Sequence, residues 1–316
     1  MRKKKDKITI IIPTYKAIDT LDRLFASLQA QTYKDFNVIL AVDADGKKYN
    51  KFKNKYKDLN ITINYYTENL GPGMTRQRAM DDSKDSDYFI FIDADDVVNP
   101  RMVECLYNLI TTHKADFACS GINRVNKDGT ILNALPSVKE HFNLTWCHGK
   151  IYSGKYLRKH NVRFRDDLRA NEDSYFNCIL YNKTDNVICT DEITYLWMYR
   201  EDSITSSRDI KNMTLVYESS IQAMLYIILD MPKCTDKFFA SKLVQMYDMR
   251  EEAKHNNVYN EYSDEIFKLL DGEVDVKQFV NDNIELITPT LRASGIYDGK
   301  EYLYTQTFID FINSVF

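Results

Sequence analysis

Phe89-Ile90-Phe91-Ile92-Asp93-Ala94-Asp95-Asp96 sets an unbroken apolar run directly against three carboxylates. A short continuous run of this kind reads as a strand buried on both faces of a parallel sheet. The acids then fall where the strand leaves the sheet, in the crevice beyond strand carboxyl ends where open α/β sheets bind ligands. Carboxylates so close disfavour one another's charge unless something neutralises it. A hard divalent cation, Mg²⁺ or Mn²⁺, matches an all-oxygen donor set. A plainer reading, a turn whose Asp96 or Asn99 caps a helix beginning at Pro100, stays open for those two residues and weighs little for Asp93 and Asp95.

Upstream, Ile8–Ile12 is a second buried run, stopped by Pro13. Leu21, Leu24, Phe25 and Leu28 recur at helical spacing between Asp19 and Gln31, with Asp19 as the expected N-cap. Val38–Val42 follows as a strand ending in Asp43-Ala44-Asp45-Gly46. Strand, helix and strand on short links make a right-handed βαβ unit. Asn50–Asp58 reads as a surface helix or loop and Ile61–Tyr66 as a third strand. Asn69-Leu70-Gly71-Pro72-Gly73 reads as a sharp loop before a helix over Met74–Ser83, with Gly71 and Gly73 at turn positions.

Downstream, Pro100 opens a helix through Ile110, Asp116–Ser120 is a strand, and Ile122–Val125 with Thr130–Leu132 flanks the hairpin signal Asn126-Lys127-Asp128-Gly129. Beyond Asn212 the pattern is helical, over Leu215–Leu229, Lys237–Lys254, Glu261–Leu270 and Tyr302–Val315. The expected division is 1–210, with a nucleotide-binding half 1–98 and an acceptor-binding half 99–210, and then a helical domain 211–316.

Composition narrows the function. With 44% hydrophobic and 28% charged residues the 316-residue chain is neither disordered nor fibrous. A net charge of -4 argues against a protein that holds duplex nucleic acid through phosphate contacts. No apolar run reaches the roughly 18 residues of a membrane span, and the start of the chain lacks a secretory core. A cytoplasmic protein is expected, with peripheral contact at the inner membrane face through Lys3–Lys5 as the lesser reading. The six cysteines are scattered, and reduced thiols are expected.

Several segments together carry a resemblance. Ile10–Tyr15, Gln31-Thr32-Tyr33, Asn69–Arg76 and Ile92–Asp96 resemble successive landmarks of family 2 of the GT-A glycosyltransferases. Gly149–Tyr152, Phe164, Asn171-Glu172-Asp173 and Tyr199–Thr205 are similar to its acceptor-side motifs. The resemblance covers Lys7 to Ser207 and leaves the helical tail uncovered. It implies a Rossmann-like α/β domain with a mixed sheet, and an inverting enzyme that moves a hexose or N-acetylhexosamine from a UDP-sugar to a hydroxyl acceptor. That acceptor is a glycan, a lipid-linked glycan or another hydroxyl compound, in surface-glycan or related synthesis.

The same resemblance makes Asp95 the principal metal ligand, with Asp93 on the metal or the ribose. Pro13, Thr14, Tyr15 and Asp43 form the base pocket, where an aromatic ring stacks on a pyrimidine and a carboxylate accepts its N–H. Arg76 binds nucleotide or diphosphate with its planar fork of donors. Asp173 is the general base, since an inverting transfer needs one base and a neutralised leaving diphosphate. Asn171 or Glu172 as a helix cap is the plainer alternative there. Lys150 and Arg200 are candidates for diphosphate or acceptor contact, and Ser203 with Thr205 for a lid.

The chain departs from the family at Lys16, where asparagine is common, at Gln77, again for asparagine, and at Asp43-Ala44-Asp45, for adjacent aspartates. Arg78 reads as a solvated helix-face residue, Trp197 as core, Trp146 as core or a sugar-stacking ring, and His148 as a lesser candidate for acceptor or metal. Two other classes stay open: a non-catalytic nucleotide-binding or assembly protein on the same scaffold, and a glycosyltransferase acting on a modified nucleic-acid base. The helical tail is open to oligomerisation.

Overall fold

The computed structural model describes residues 5–46, 48–137, 144–184, 186–200, 209–231, 234–294, 296–297, 300–301 and 305–316. They form two compact units, Met1–Asp167 with Lys183–Arg200, and Leu168–Asn182 with Glu201–Phe316.

The first unit opens with β1 (Ile8–Thr14), α1 (Leu21–Gln29), β2 (Asn37–Asp43), α2 (Asn50–Lys55), β3 (Asn60–Tyr66), α3 (Gly71–Asp82) and β4 (Tyr88–Phe91). It continues through β5 (Val97–Val98), α4 (Met102–His113), β6 (Phe117–Val125), β7 (Ile131–Leu135), β8 (Lys150–Ser153), α5 (Gly154–Lys159) and β9 (Val187–Met198). All nine strands join one sheet in the order β3-β2-β1-β4-β8-β6-β9-β5, with β7 paired to β6.

β1, β2, β3 and β4 are parallel, with Ile11 opposite Ile39 and Ile10 opposite Ile90. The chain steps outward from β1 to β3, then returns to β1's other side as β4. That reversal opens a crevice between the carboxyl ends of β1 and β4. β8 then runs antiparallel to β4 and to β6, and β9 parallel to β6.

The β-branched runs Ile8–Ile12 and Val38–Val42 are buried along their length, as strands covered on both faces must be. α1 buries Leu21, Leu24, Phe25 and Leu28 against them, and the Phe25 ring stacks on Phe52 and Tyr56 at 5.3 and 5.4 Å. Gln31 is buried at the end of α1. Its amide donates to Asn99 O and accepts from Val103 N, fastening α1 to the start of α4.

Several local expectations are corrected. The N-cap position of α1 is Thr20, not Asp19, and its hydroxyl donates to Ala17 O and Ala94 O instead of capping. α3 is assigned from Gly71, whose φ of +82 keeps the turn expected at that glycine, while Pro72 and Gly73 lie in the helix's first turn and not in a loop before it; proline there gives up an N–H that has no intrahelical partner. Asp96 does not cap α4: it lies just before β5, a two-residue strand too short to carry a period. Asn99 Oδ1 accepts instead from Arg101 N. Asp116–Ser120 and Ile122–Val125 are one strand, β6, whose register shifts near Gly121.

The second unit holds α6 (Glu172–Asn182), α7 (Ile210–Asp230), α8 (Asp236–His255), α9 (Tyr262–Lys268), α10 (Val276–Asp282), α11 (Ile284–Ser294), the short pair β10 (Ile296–Tyr297) and β11 (Lys300–Glu301), and α12 (Thr305–Val315). Asp209 and Thr235 side chains accept from Asn212 N and Phe238 N, capping the two long helices. Ile221, Leu225, Leu243, Phe267 and Phe308 make its core. α6 is tied to α7 by Asn171 Nδ2 on Ser220 Oγ and Tyr175 Oη on Asp230 at 2.6 Å.

α6 therefore packs with the C-terminal helices, whereas the division at 210/211 counts it in the acceptor half. After α6 the chain returns to the sheet as β9, so no single cut in sequence separates the units. α10 and α11, the latter with Pro289 inside it, fall between the stretches named above, in the region beyond Asn212 that reads as helical throughout. Among the described residues no helix is long and apolar enough to cross a membrane, and all six cysteines are unpaired by disulfides.

Candidate active site

The acidic loop lies where β4 ends, beside the reversal of strand order. Arg76, buried on α3, donates from Nη2 to Asp93 Oδ1 at 2.7 Å, and His148 Nε2 lies 2.9 Å from Asp93 Oδ2. Asp93 N donates to Tyr195 Oη at 3.2 Å. Arg200 Nη1 donates to Asp95 Oδ2 at 3.1 Å, and Arg23 Nη2 to the carbonyl of Asp95. Asp96 is buried, accepting from Tyr195 Oη at 2.5 Å and Met198 N at 2.8 Å. Each acid thus has its own fixed donors, which holds the loop open-handed toward the crevice and not collapsed on itself.

Their protonation differs accordingly. Burial works against ionising Asp93, but the charges of Arg76 and His148 outweigh it and hold the carboxyl well below the usual range. Burial and then the charge of Asp93 push Asp95 up, with Arg200 opposing. Asp96, buried most completely, is pushed up to about 8. Arg76 on Asp93 and Arg200 on Asp95 match the pair's two negative charges, and it is burial above all that still leaves Asp95 raised.

A loop from β8 closes one side of the site. Gly149 sits at φ +61, and a Cβ there would meet Ser120 Oγ at 3.1 Å and Ser120 O at 3.2 Å. The buried Lys150 donates from Nζ to the carbonyls of Trp146 and His148. The structure therefore places Lys150 beneath the loop, holding its backbone. His148 lies flat on Tyr195, ring centroids 4.7 Å apart at 10°, and Trp146 packs on Trp197 at 5.1 Å. Both tryptophans are partly buried against the core.

At the ends of β1 and β2, Thr14 is buried and donates to Ile12 O, Pro13 is half-buried, and Tyr15 is 48% exposed with Lys16 Nζ 4.9 Å over its ring. Lys16 has φ +52 and Ala44 φ +55. Asparagine tolerates that left-handed region far better than lysine, a physical reason for its frequency at the Lys16 position. Asp45 ties the two loops, accepting from Lys16 N at 3.0 Å and from Tyr49 Oη.

Asp43 is 3% exposed, and its oxygens accept from Leu70 N at 3.1 Å and Gly71 N at 3.0 Å. The carboxylate thus sits on the N-terminus of α3, where backbone N–H groups lack partners and the helix dipole favours an anion. Arg78 meets Glu68 and stacks at 5.3 Å over Tyr66. Gln77 is buried and accepts from Phe164 N at 3.0 Å, while the Phe164 ring lies 5.8 Å from the Arg76 guanidinium.

Asp173 lies in the first turn of α6, in the second unit, where its Oδ1 accepts from Ser174 N. Asn171 adopts φ +57 just before that helix, and its amide goes to Ser220. Ser203 and Thr205 lie outside the described residues.

The first unit thus assembles Arg76, Asp93, Asp95, His148 and Arg200 on one crevice. Asp93, Asp96 and His148 each bring a ligand atom within 4.8 Å of the others. His148 stands in the sequence only as a lesser candidate because a lone histidine carries no spacing signal. Nothing local in the sequence marks Tyr195: its partners lie about a hundred positions upstream.

The family described as Glycosyl transferase family 2 matches residues 9–205, more than half of the chain. Poly(ribitol-phosphate) beta-glucosyltransferase of Bacillus spizizenii is 23% identical over 209 residues, covering 62% of this chain and 33% of that protein. The chain thus spans about a third of that relative. Cholesterol galactosyltransferase of Borreliella burgdorferi is 23% identical over 311 residues, covering 87% of this chain and 85% of that one. The crystal structure of S. aureus TarS 1-349 in complex with UDP-GlcNAc superposes with a TM-score of 0.70 at 20% identity, covering 98% of this chain and 90% of that one.

Proposed function

Because the chain belongs to glycosyl transferase family 2 and has the GT-A fold, we propose that it is an inverting glycosyltransferase. It moves a hexose or N-acetylhexosamine from a UDP-sugar to a hydroxyl acceptor in surface-glycan synthesis. The observation that carries this reading is the acidic loop at the strand-order reversal, fixed by Arg76, His148 and Arg200. A cytoplasmic setting belongs to the same proposal, as does any role of the helical unit in oligomerisation.

The residues present suit a divalent cation. Asp95 is pushed toward its protonated form by burial and by Asp93, the strain a cation between hard oxygen donors relieves. Asp95 and Asp93 would hold Mn²⁺ or Mg²⁺, and the ion when bound supplies charge neutralisation of the leaving diphosphate. His148, on Asp93 Oδ2, keeps that carboxylate ionised and oriented.

The chain's own groups do the rest. Tyr15, half-exposed at the end of β1, offers a face for the uracil ring, with Pro13 and Thr14 shaping the strand end beneath it. Asp43 keeps lone pairs beyond those given to α3 and so can also accept the base N–H. Arg76 and Arg200 present guanidinium groups toward the diphosphate. Lys150 serves by holding the loop that carries His148. Asp173 takes the proton of the acceptor hydroxyl as it attacks the anomeric carbon, which leaves one inverted bond formed and the diphosphate ester broken.

Titration calorimetry with UDP, with and without Mn²⁺, tests the donor half, with GDP and CMP as competitors and Asp95→Ala as control. Metal-dependent UDP binding that the variant loses is the expected result. Failure of every nucleotide to bind would leave the non-catalytic scaffold as the better account.

A further inference from the structure

Arg124 differs from four other arginines of the chain. Arg76, Arg163, Arg200 and Arg250 each meet a carboxylate. Arg124 is half-buried and meets none among the described residues. Its guanidinium lies between two rings instead, 5.1 Å from the centroid of Trp197 and 4.7 Å from that of Tyr199. Its Nε is buried without a hydrogen-bond partner. Two aromatic faces fix the plane of the fork and supply quadrupole attraction, yet leave its N–H donors unused. A half-buried cation so arranged is a site prepared for an oxyanion.

Its position selects which substrate brings that anion. Arg124 is opposite Trp197 in the β6–β9 register, as Ile122 is opposite Tyr195. Tyr195 is bonded to Asp96 and Asp93, so Arg124 lies two residues farther along the same face, about 7 Å from that row. His148 on Tyr195 and Trp146 on Trp197 continue the stair. The donor-side groups Tyr15, Asp43 and Arg76 belong to β1, β2 and α3, whereas β6 is separated from β4 by β8. We propose that Arg124, clamped by Trp197 and Tyr199, binds an oxyanion of the acceptor, so that this enzyme glycosylates an anionic acceptor bearing phosphate or carboxylate groups. The proposal rests on the glycosyltransferase reading for the word acceptor, and on Arg124 alone for the anion.

Trp146 and Trp197 are the chain's two tryptophans, so intrinsic emission reports this site directly. The full chain is titrated at constant ionic strength with glycerol 3-phosphate, with glucuronate and with glycerol. A saturable emission change with one or both anions and none with glycerol is expected, weakened tenfold or more in Arg124→Gln. Arg124→Lys, which keeps the charge and loses the planar fork, binds at an intermediate strength and stands in should the glutamine variant fail to fold. Preference for glycerol 3-phosphate or for glucuronate names the acceptor's anion as phosphate or uronate. No response to either anion, an equal response to glycerol, or unweakened binding by both variants overturns the proposal. UDP calorimetry on the same sample keeps the two readings apart: its failure sinks the donor reading, while the emission titration still decides the oxyanion site.

Discussion

Removing the Asp43 carboxylate should loosen the start of α3 more than a surface charge deletion would. Both of its oxygens are used, on Leu70 N and Gly71 N, and the group is 3% exposed. α3 has no side-chain cap of its own, since its N-cap residue is Leu70. In Asp43→Ala two half-buried N–H groups lose a buried acceptor, at about 1–3 kcal/mol each, and the helix loses a favourable anion worth up to about 2 kcal/mol. These are one interaction counted twice, so a loss of about 3 kcal/mol is expected against a total of about 5–15. Asp43→Asn keeps one acceptor but turns an NH₂ toward an N–H, for a loss of about 2 kcal/mol. Urea unfolding followed by tryptophan emission reads the first unit, where Trp146 and Trp197 both lie. An Asp43→Ala chain within about 0.5 kcal/mol of the parent would refute the anchoring role. UDP affinity of Asp43→Asn then separates the roles: unchanged affinity leaves Asp43 an anchor alone, and lost preference for uridine over cytidine adds a base contact.

Other outcomes follow from the same geometry. Gly149→Ala forces a Cβ into left-handed backbone 3.1 Å from Ser120 Oγ, so a destabilisation of about 2 kcal/mol is expected together with weaker Mn²⁺-dependent UDP binding; a fully stable variant with normal binding would count against the loop's role. Lys16→Asn relieves a left-handed lysine at φ +52 by about 1 kcal/mol, less about 0.5 for the contact with Tyr15, so the urea midpoint should rise slightly, and a fall would contradict this. The folded Asp96 carboxyl, pushed up to about 8 from 3.8, keeps a proton the unfolded chain releases, so its contribution is fullest at acid pH and is lost as pH rises toward 8. Asp96→Asn should flatten the fall in unfolding midpoint across that window; an unchanged slope assigns it elsewhere. Asp173→Asn should lower kcat for transfer by about 10²–10⁴ with little change in donor KM, and a variant that transfers normally removes Asp173 from the base role.

Periodicity and punctuation made the first half of the sheet legible. Ile8–Ile12, Val38–Val42 and Phe89–Ile92 are buried on both faces, and apolar runs are the direct imprint of that burial. The acids at the end of β4 were legible for the same reason, because charge cannot continue a buried strand. What failed was local chemistry decided at long range. Thr20 takes the N-cap position of α1 without a side-chain cap, its hydroxyl spent instead on Ala17 and Ala94. Pro72-Gly73 is helical, directly after the positive-φ Gly71, because a carboxylate from β2 receives the two N–H groups at the start of α3.

By itself the sequence determined the alternation of parallel strands and helices, the placing of Asp93, Asp95 and Asp96 at a strand end, and a helical tail, since each is written in burial pattern within a few residues. Only the tertiary structure decided what those acids face. Pairing β6 with β9, and β4 with β8, brings Tyr195 and His148 onto Asp93 and Asp96. Partners so distant leave no period in a chain, because hydrogen bonds and ring stacking fix geometry in space without fixing spacing in sequence. Which unit holds α6 was settled in the same way, by the burial of one helix face against α7 and not by any boundary signal.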